Sequence, residues 1–406
     1  MRRLKQAVMV LMAMVMVLGS TSASAAVFTP ETSSTAALLV DLNTGRIVAE
    51  KNGDERLPLG SVSKLVVAYF IEEAVAEGKL SWDQKIKIKP KLAEYSHDMS
   101  VATVPLYVDG EYTLEDLMNA TLLPSSNSAS LVLADLIAGD QEKFNEMANE
   151  KLASWGIPDA NWSSASGLPV GALGPFQTDT YHEDDMNRLS AREVAIIAGR
   201  IMQDYPHMLT FNGKITEQFP DGKGGYVKLE NTNELLKDKE FKVLGMKTGT
   251  ILEYGKNLVA KTSIHGVPVL SVVLNARPAD SETEVFTTSK NMWHQASAQL
   301  KAETLDRGTT VSDVKDNQAA AGQASVSLAK KQSFLLGVQE DMPKFDDVKL
   351  TSEVPYKAGE TIGSAKWQFS TKSDNYLPGV GTVKVMTDED VEPANWFVRT
   401  WRSIFG

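Results

Sequence analysis

Residues 61–78 read Ser-Val-Ser-Lys-Leu-Val-Val-Ala-Tyr-Phe-Ile-Glu-Glu-Ala-Val-Ala-Glu-Gly, and the rest of the chain is best read outward from them. Leu65, Val66, Val67, Phe70, Ile71, Ala74 and Val75 nearly ring a helical axis, which predicts a helix buried inside a core. Pro58 precedes it and Gly78 marks its C-terminal stop. Ser61 stands at the N-terminus, where backbone N–H groups and the helix dipole favour developing negative charge. Lys64 follows one turn along the same face, so its amine reaches the Ser61 hydroxyl. To take a proton there the amine must be neutral, and both burial and a second nearby cation would make it so.

A buried helix needs enclosing elements, and the flanking sequence supplies them. Residues 36–50 read as a hairpin about the turn Asp41-Leu42-Asn43-Thr44-Gly45. Helical patterns follow at 113–120, 129–138, 141–155 and 191–203, strand patterns at 241–248, 258–263 and 267–275, and a last helix at 282–302. Strands, then helices, then strands closed by a helix predict an α+β fold: an antiparallel sheet covered by helices, with a helical subdomain. A chain of 406 residues has room for about two domains. After Leu305 the composition shifts. The small polar stretch 316–323 precedes alternating runs such as Val348-Lys349-Leu350, Trp367-Gln368-Phe369 and Thr382-Val383-Lys384-Val385. The catalytic domain is therefore expected over 27–305 and a small C-terminal β domain over 306–391. In 392–406, Phe397, Trp401, Ile404 and Phe405 share one helical face opposite Arg399, Arg402 and Ser403, the pattern of an amphipathic membrane-anchor helix.

The N-terminus indicates the compartment. Arg2, Arg3 and Lys5 precede an apolar run of thirteen residues, 7–19, and Ala23-Ser24-Ala25-Ala26 offers a cleavage site, so 1–25 reads as a signal peptide. Thirteen residues fall short of the ~20 that span a bilayer. The mature chain is expected at the extracytoplasmic face of the cell membrane. A net charge of −11 argues against a nucleic-acid partner. Zero cysteines and five scattered histidines, with no H-E-x-x-H, give no reason to expect a metal or cofactor.

Three short strings carry the chemistry: Ser61-Val62-Ser63-Lys64, Ser125-Ser126-Asn127 and Lys247-Thr248-Gly249. In that order they match the known signature of enzymes that acylate a serine with a D-alanyl peptide or a β-lactam. S-x-x-K alone arises by chance roughly once or twice in such a chain. Ser312 to Lys315 and Ser327 to Lys330 are such decoys, and Ser373-Asp374-Asn375 mimics the second string. All three follow the only Lys-Thr-Gly, out of order. Ser125-Ser126-Asn127 falls just before a helix, so one of its serines could equally be a helix cap.

The chain resembles the low-molecular-mass penicillin-binding proteins, serine-type D-alanyl-D-alanine carboxypeptidases. Asp41 to Arg46, Arg56 to Lys64, Ser166-Gly167-Leu168-Pro169, Leu189 to Glu193, Asn231 to Leu236 and Gly245 to Thr250 follow in family order. The resemblance implies a penicillin-binding/β-lactamase-like transpeptidase fold and removal of the terminal D-alanine from peptidoglycan stem pentapeptides. It also implies sensitivity to β-lactams as covalent inhibitors, and roles in peptidoglycan biosynthesis and cell shape. By that resemblance Ser61, Lys64 and Ser125 are catalytic, as nucleophile, base and proton donor to the leaving D-alanine. Asn127, Lys247, Thr248, Gly249 and Thr250 bind substrate, and the N–H groups of Ser61 and Thr250 form the oxyanion hole.

Gly60, Ser63 and Ser126 stand where alanine, threonine and glycine are usual, and none removes a reacting group. The stretch 170–187 looks long and is expected to line the cleft rim. Two alternatives remain. A class A-like β-lactamase would need a water-activating glutamate, for which Glu183 is the candidate. A non-enzymatic wall-binding scaffold would have lost catalytic residues, and none is missing.

Overall fold

A computed structural model of the chain describes residues 26–278, 281, 283–370, 377 and 380–405. The expected signal segment 1–25 and the decoy Ser373-Asp374-Asn375 lie outside the described residues. Strand β1, Ala36–Asp41, pairs with β2, Ile47–Lys51, as the expected hairpin. The chain then runs through a 3₁₀ turn, Gly60–Ser63, into helix α1, Lys64–Ala76. Helices α2, Leu114–Leu122, α3, Asn127–Ala138, and α4, Gln141–Ser154, share a core with α1 through Leu117, Leu131 and Phe144. A capping box between Ser190 and Glu193 starts α5, Ala191–Asp204, and three strands follow: β3, Met246–Ile251, β4, Gly255–Ile264, and β5, Val267–Ala276.

These strands form one antiparallel sheet in the order β2-β1-β5-β4-β3. Side-chain alternation divides it into two buried faces. Leu38, Val40, Val259, Leu270 and Val272 join the core of α1 and α5. Ala37, Leu39, Leu258, Ala260 and Val273 join Met292 and Trp293 of helix α6, Glu284–Gln299. The α+β architecture is thus the one the sequence pattern implies. Among the described residues β3 is an edge strand, and it packs beside the Gly60–Ser63 turn.

Two local expectations change. The strand expected from 241 begins at Met246, because Asp238 Oδ1 accepts from the backbone N–H of Glu240 and Phe241 and folds that segment into a turn. The helix expected to reach 302 ends at Gln299. Leu300–Leu305 is instead strand β6, paired with Gln332–Gly337. The small polar stretch at 316–323 is tied into the second sheet's core, where Tyr356 donates to the buried Asp316 across 2.8 Å.

Beyond β6 lie β7, Thr310–Lys315, β8, Gln323–Leu328, β9, Gln332–Gly337, β10, Lys344–Leu350, β11, Thr361–Gln368, and β12, Thr382–Thr387. Five of them form a second sheet, β7-β8-β12-β11-β10, over a core of Val326, Leu336, Ile362, Trp367 and Val385.

The junction between the two sheets is polar and buried. Arg46 donates twice to Glu340, at 2.7 and 3.0 Å, with side chains 0% and 3% exposed, and its guanidinium lies 4.0 Å from the Phe369 ring centroid. Asp41 accepts from the Leu335 N–H at 2.8 Å, and burial raises its carboxyl to about 6 against the opposing pull of its hydrogen bonds. Glu340→Ala is expected to cost about 3–5 kcal/mol, because it leaves the Arg46 charge buried without its carboxylate. Urea unfolding checks this, and the double variant Arg46→Met, Glu340→Leu should lose less than Glu340→Ala alone.

Candidate active site

A cleft of about 650 Å³ opens along the outer edge of β3. Ser61, Ser125, Asn127, Thr232, Thr248, Gly249 and Thr250 line it, and it extends to Leu252, Lys256 and Phe286. Lys64 and Lys247, 0% and 1% exposed, lie beneath this lining. The structure therefore gathers every residue of the three strings that carry chemistry. The out-of-order decoys at Ser312 and Ser327 sit on β7 and β8, in the second sheet.

Local geometry explains why these residue types sit where they do. Gly249 lets β3 lie directly against the nucleophile turn, since a Cβ there would fall 2.3 Å from the Leu59 carbonyl oxygen. Gly60, the departure from the usual alanine, takes a φ of +52° with the Thr250 carbonyl oxygen beside it, so a glycine there is unstrained. The two serines of the second string divide their tasks. Ser126 Oγ accepts from Ala129 N–H at 3.2 Å and caps α3, whereas Ser125, at φ +67°, lines the cleft.

Lys64 Nζ lies 2.8 Å from Ser61 Oγ, 2.7 Å from Asn127 Oδ1 and 2.8 Å from the Ser166 carbonyl oxygen. Burial, with the Lys247 charge adding to it, holds the Lys64 amine well below the usual lysine range. Lys247 Nζ donates to Ser125 Oγ at 2.9 Å and to the Thr248 carbonyl at 3.2 Å, and burial brings its pKa down to about 7. Of the two lysines, only Lys247 is hydrogen-bonded to Ser125, and Lys64 has separate partners. A neutral amine has two N–H donors and one lone pair. The three partners of Lys64 fit that species: two carbonyl-type acceptors and one hydroxyl able to donate.

Sequence reasoning missed three participants. The Ser166 contribution is a backbone carbonyl, which no side-chain pattern announces. Thr232 Oγ1 lies 2.5 Å from Thr248 Oγ1 and adds a second hydroxyl at one end of the cleft; its position inside Asn231-Thr232-Asn233 was the available signal. Asn187 is wholly buried behind Ser63. The stretch 170–187 does not line the cleft, whose other rim is Ser100, Val101 and Ala102. It folds on itself, with Val170 N–H donating to the Asp185 carbonyl and Gly171 N–H to that of Glu183, and Phe176 packs on Tyr95.

Comparison with known proteins gives a consistent result. A family model described as D-alanyl-D-alanine carboxypeptidase matches residues 21–278. The chain is 26% identical to D-alanyl-D-alanine carboxypeptidase DacC of Escherichia coli K12 over 380 residues, covering 92% of this chain and 88% of that one. It is 25% identical to DacF of Bacillus subtilis, covering 81% and 79%. Among solved structures, PBP3 of Streptococcus pneumoniae superposes with a TM-score of 0.77 at 24% identity, over 89% of this chain and 99% of that one. Penicillin-binding protein D2 of Listeria monocytogenes, solved in an ampicillin-bound form, superposes with a TM-score of 0.53 at 25% identity, over 65% and 97%.

Proposed function

The chain belongs to the D-alanyl-D-alanine carboxypeptidase family, and from that premise we propose that it removes the terminal D-alanine of peptidoglycan stem pentapeptides through an acyl-enzyme on Ser61. The observation that carries this reading is the fully buried Lys64 amine, poised between Ser61 Oγ and two carbonyl-type acceptors. In its neutral form Nζ accepts the Ser61 proton while its own hydrogens stay on Asn127 and Ser166. Ser61 Oγ then bonds to the carbonyl carbon between the two D-alanines, and the N–H groups of Ser61 and Thr250 hold the developing oxyanion. The C–N bond breaks as Ser125 gives its proton to the leaving amine, the proton that Lys64 took from Ser61 replaces it on Ser125 Oγ and leaves Lys64 neutral again, and Lys247 supports that hydroxyl. Water hydrolyses the ester, releasing the shortened peptide and restoring Ser61. Lys247, Thr248, Thr250 and Thr232 grip the terminal carboxylate, and Asn127, its oxygen held by Lys64, offers its NH₂ to the peptide.

A β-lactam presents the same carbonyl and carboxylate, so penicillin acylates Ser61 in this reading. A lactamase is not favoured: Glu183 is exposed and does not line the cleft. Release of D-alanine from a pentapeptide, with loss of release after penicillin treatment, tests the assignment. We divide the chain into a catalytic unit from 27 and a β unit to 391. The boundary falls nearer Leu300 than 305, because β6 pairs with β9.

We further infer that the chain is exported and rests on the extracytoplasmic face of the cell membrane through α7, Trp396–Phe405. Trp396, Phe397, Trp401 and Ile404 are 73%, 62%, 57% and 64% exposed, whereas Arg402 turns inward and donates to the Ala319 and Ala320 carbonyls. A helix docked for stability would bury its aromatic face; this one docks by an arginine and presents its aromatics. Each large apolar side chain at an interface contributes roughly 1.5–3 kcal/mol before ordering costs. The mature chain is expected to sediment with anionic vesicles. A chain ending at Val391 should remain in the supernatant with full activity on small peptides. Failure of the full mature chain to bind at low salt contradicts the anchor.

A further inference from the structure

We propose that Asn187 is a positioning residue for acylation, whose side chain braces both the nucleophile turn and the loop that carries the acceptor for Lys64. The inference rests on the reading of Lys64 as the base. Asn187 is 0% exposed and lies outside the three signature strings. Its Nδ2 donates to Ser63 Oγ at 2.9 Å and to the Ser164 carbonyl at 2.7 Å. Its Oδ1 accepts from the N–H of Ser163 at 2.8 Å and of Ser164 at 3.2 Å. Its backbone carbonyl accepts from Leu59 N–H at 3.0 Å, two residues before the nucleophile. One buried residue thus ties together two segments that are far apart in sequence.

The segments it ties are the ones that fix the Lys64 amine. Ser63 immediately precedes Lys64. On the other side, Ser164 Oγ accepts from Gly167 N–H at 3.1 Å and lies 3.0 Å from Ser166 Oγ, closing the turn whose Ser166 carbonyl takes a hydrogen from Lys64. Burying a primary amide costs free energy unless its groups are satisfied, and here both Nδ2 hydrogens and the oxygen have partners. A site held to within a fraction of an ångström depends on such supporting bonds, because the reacting side chains do not fix their own geometry. Asn187 touches neither Ser61 nor the cleft, so it acts through Ser63 and Ser166.

The test measures acylation by penicillin against pH, at saturating drug, for the full mature chain, Asn187→Ala and Asn187→Asp. Asn187→Ala removes every side-chain bond. Asn187→Asp keeps the acceptor for Ser163 and Ser164 and loses both donors. Each is expected to acylate at least tenfold more slowly at neutral pH, with the acid limb of the profile moved to higher pH by about one unit. A loosened turn admits water that solvates the lysine ammonium, and the aspartate adds a negative charge that favours it. The KM for pentapeptide should stay within threefold, since Lys247 and Thr248 are not touched. An unmoved acid limb in folded Asn187→Asp, or a fall in rate matched by the fall in folded fraction, overturns the proposal. Lys64→Arg in the same series separates the two readings. If Lys64→Arg acylates normally, the base assignment fails and this inference falls with it. If Lys64→Arg is inactive and the Asn187 variants keep the wild-type profile, only the role of Asn187 is wrong.

Discussion

Ser61→Ala will form no covalent adduct with penicillin and will release D-alanine on the order of 10⁴-fold more slowly or worse, because the step that divides the reaction in two is gone. The variant should remain folded. Ser61 Oγ has the Lys64 amine as its hydrogen-bond partner, and the residue sits at a partly open cleft wall rather than in the core. Denaturation midpoints within a few degrees of the parent, together with loss of labelling, are the expected pair of results.

The second large effect separates the two lysines. Lys64→Arg is expected to lower acylation on the order of 10³-fold or more, since guanidinium does not give up a proton near neutral pH. Lys247→Arg keeps a cation for the substrate carboxylate and should retain measurable acylation. The pH dependence follows with definite signs. Lys64 works only when neutral, so acylation falls as pH drops through its depressed pKa, below the usual lysine range. Lys247 works when charged. It loses its proton as pH rises through about 7, and a substrate carboxylate beside it favours the charged form. The alkaline loss should therefore be seen as a rising KM while kcat holds. Stability moves with the same groups. Unfolded lysine titrates near about 10.4, so between pH 7 and 10 the unfolded chain holds more protons than the folded one and stability rises with pH. Lys247→Met should flatten that rise in urea titrations.

Local pattern in the sequence reaches some of these features and not others. The buried helix after Ser61, the hairpin at 36–50 and the order of the three strings were legible because local periodicity and spacing encode them. The end of α6 was not: Leu300–Leu305 becomes a strand because its partner, Gln332–Gly337, lies some thirty residues on, and a local pattern cannot register a distant edge. The division of labour between Ser125 and Ser126 was half legible, since both can cap a helix, and only the backbone path at Ser125 decides which one does. The Ser166 carbonyl and the Asn187 brace were invisible because one is main chain and the other belongs to no signature string. In the tail, the sequence set Phe397, Trp401 and Ile404 on one helical face opposite Arg399 and Arg402, and gave no partner for either arginine. Arg402 satisfies two carbonyls of the turn after β7, because a terminal helix still needs a contact to fix its direction.

Treating the mature protein with penicillin, digesting it and locating the adduct by mass spectrometry tests the acyl-enzyme on Ser61 directly. One penicilloyl group per chain is expected, carried on the peptide that contains Ser61 and absent from the Ser61→Ala digest. An adduct on the peptide containing Ser125, or undiminished D-alanine release from a protein that takes up no adduct, would contradict it.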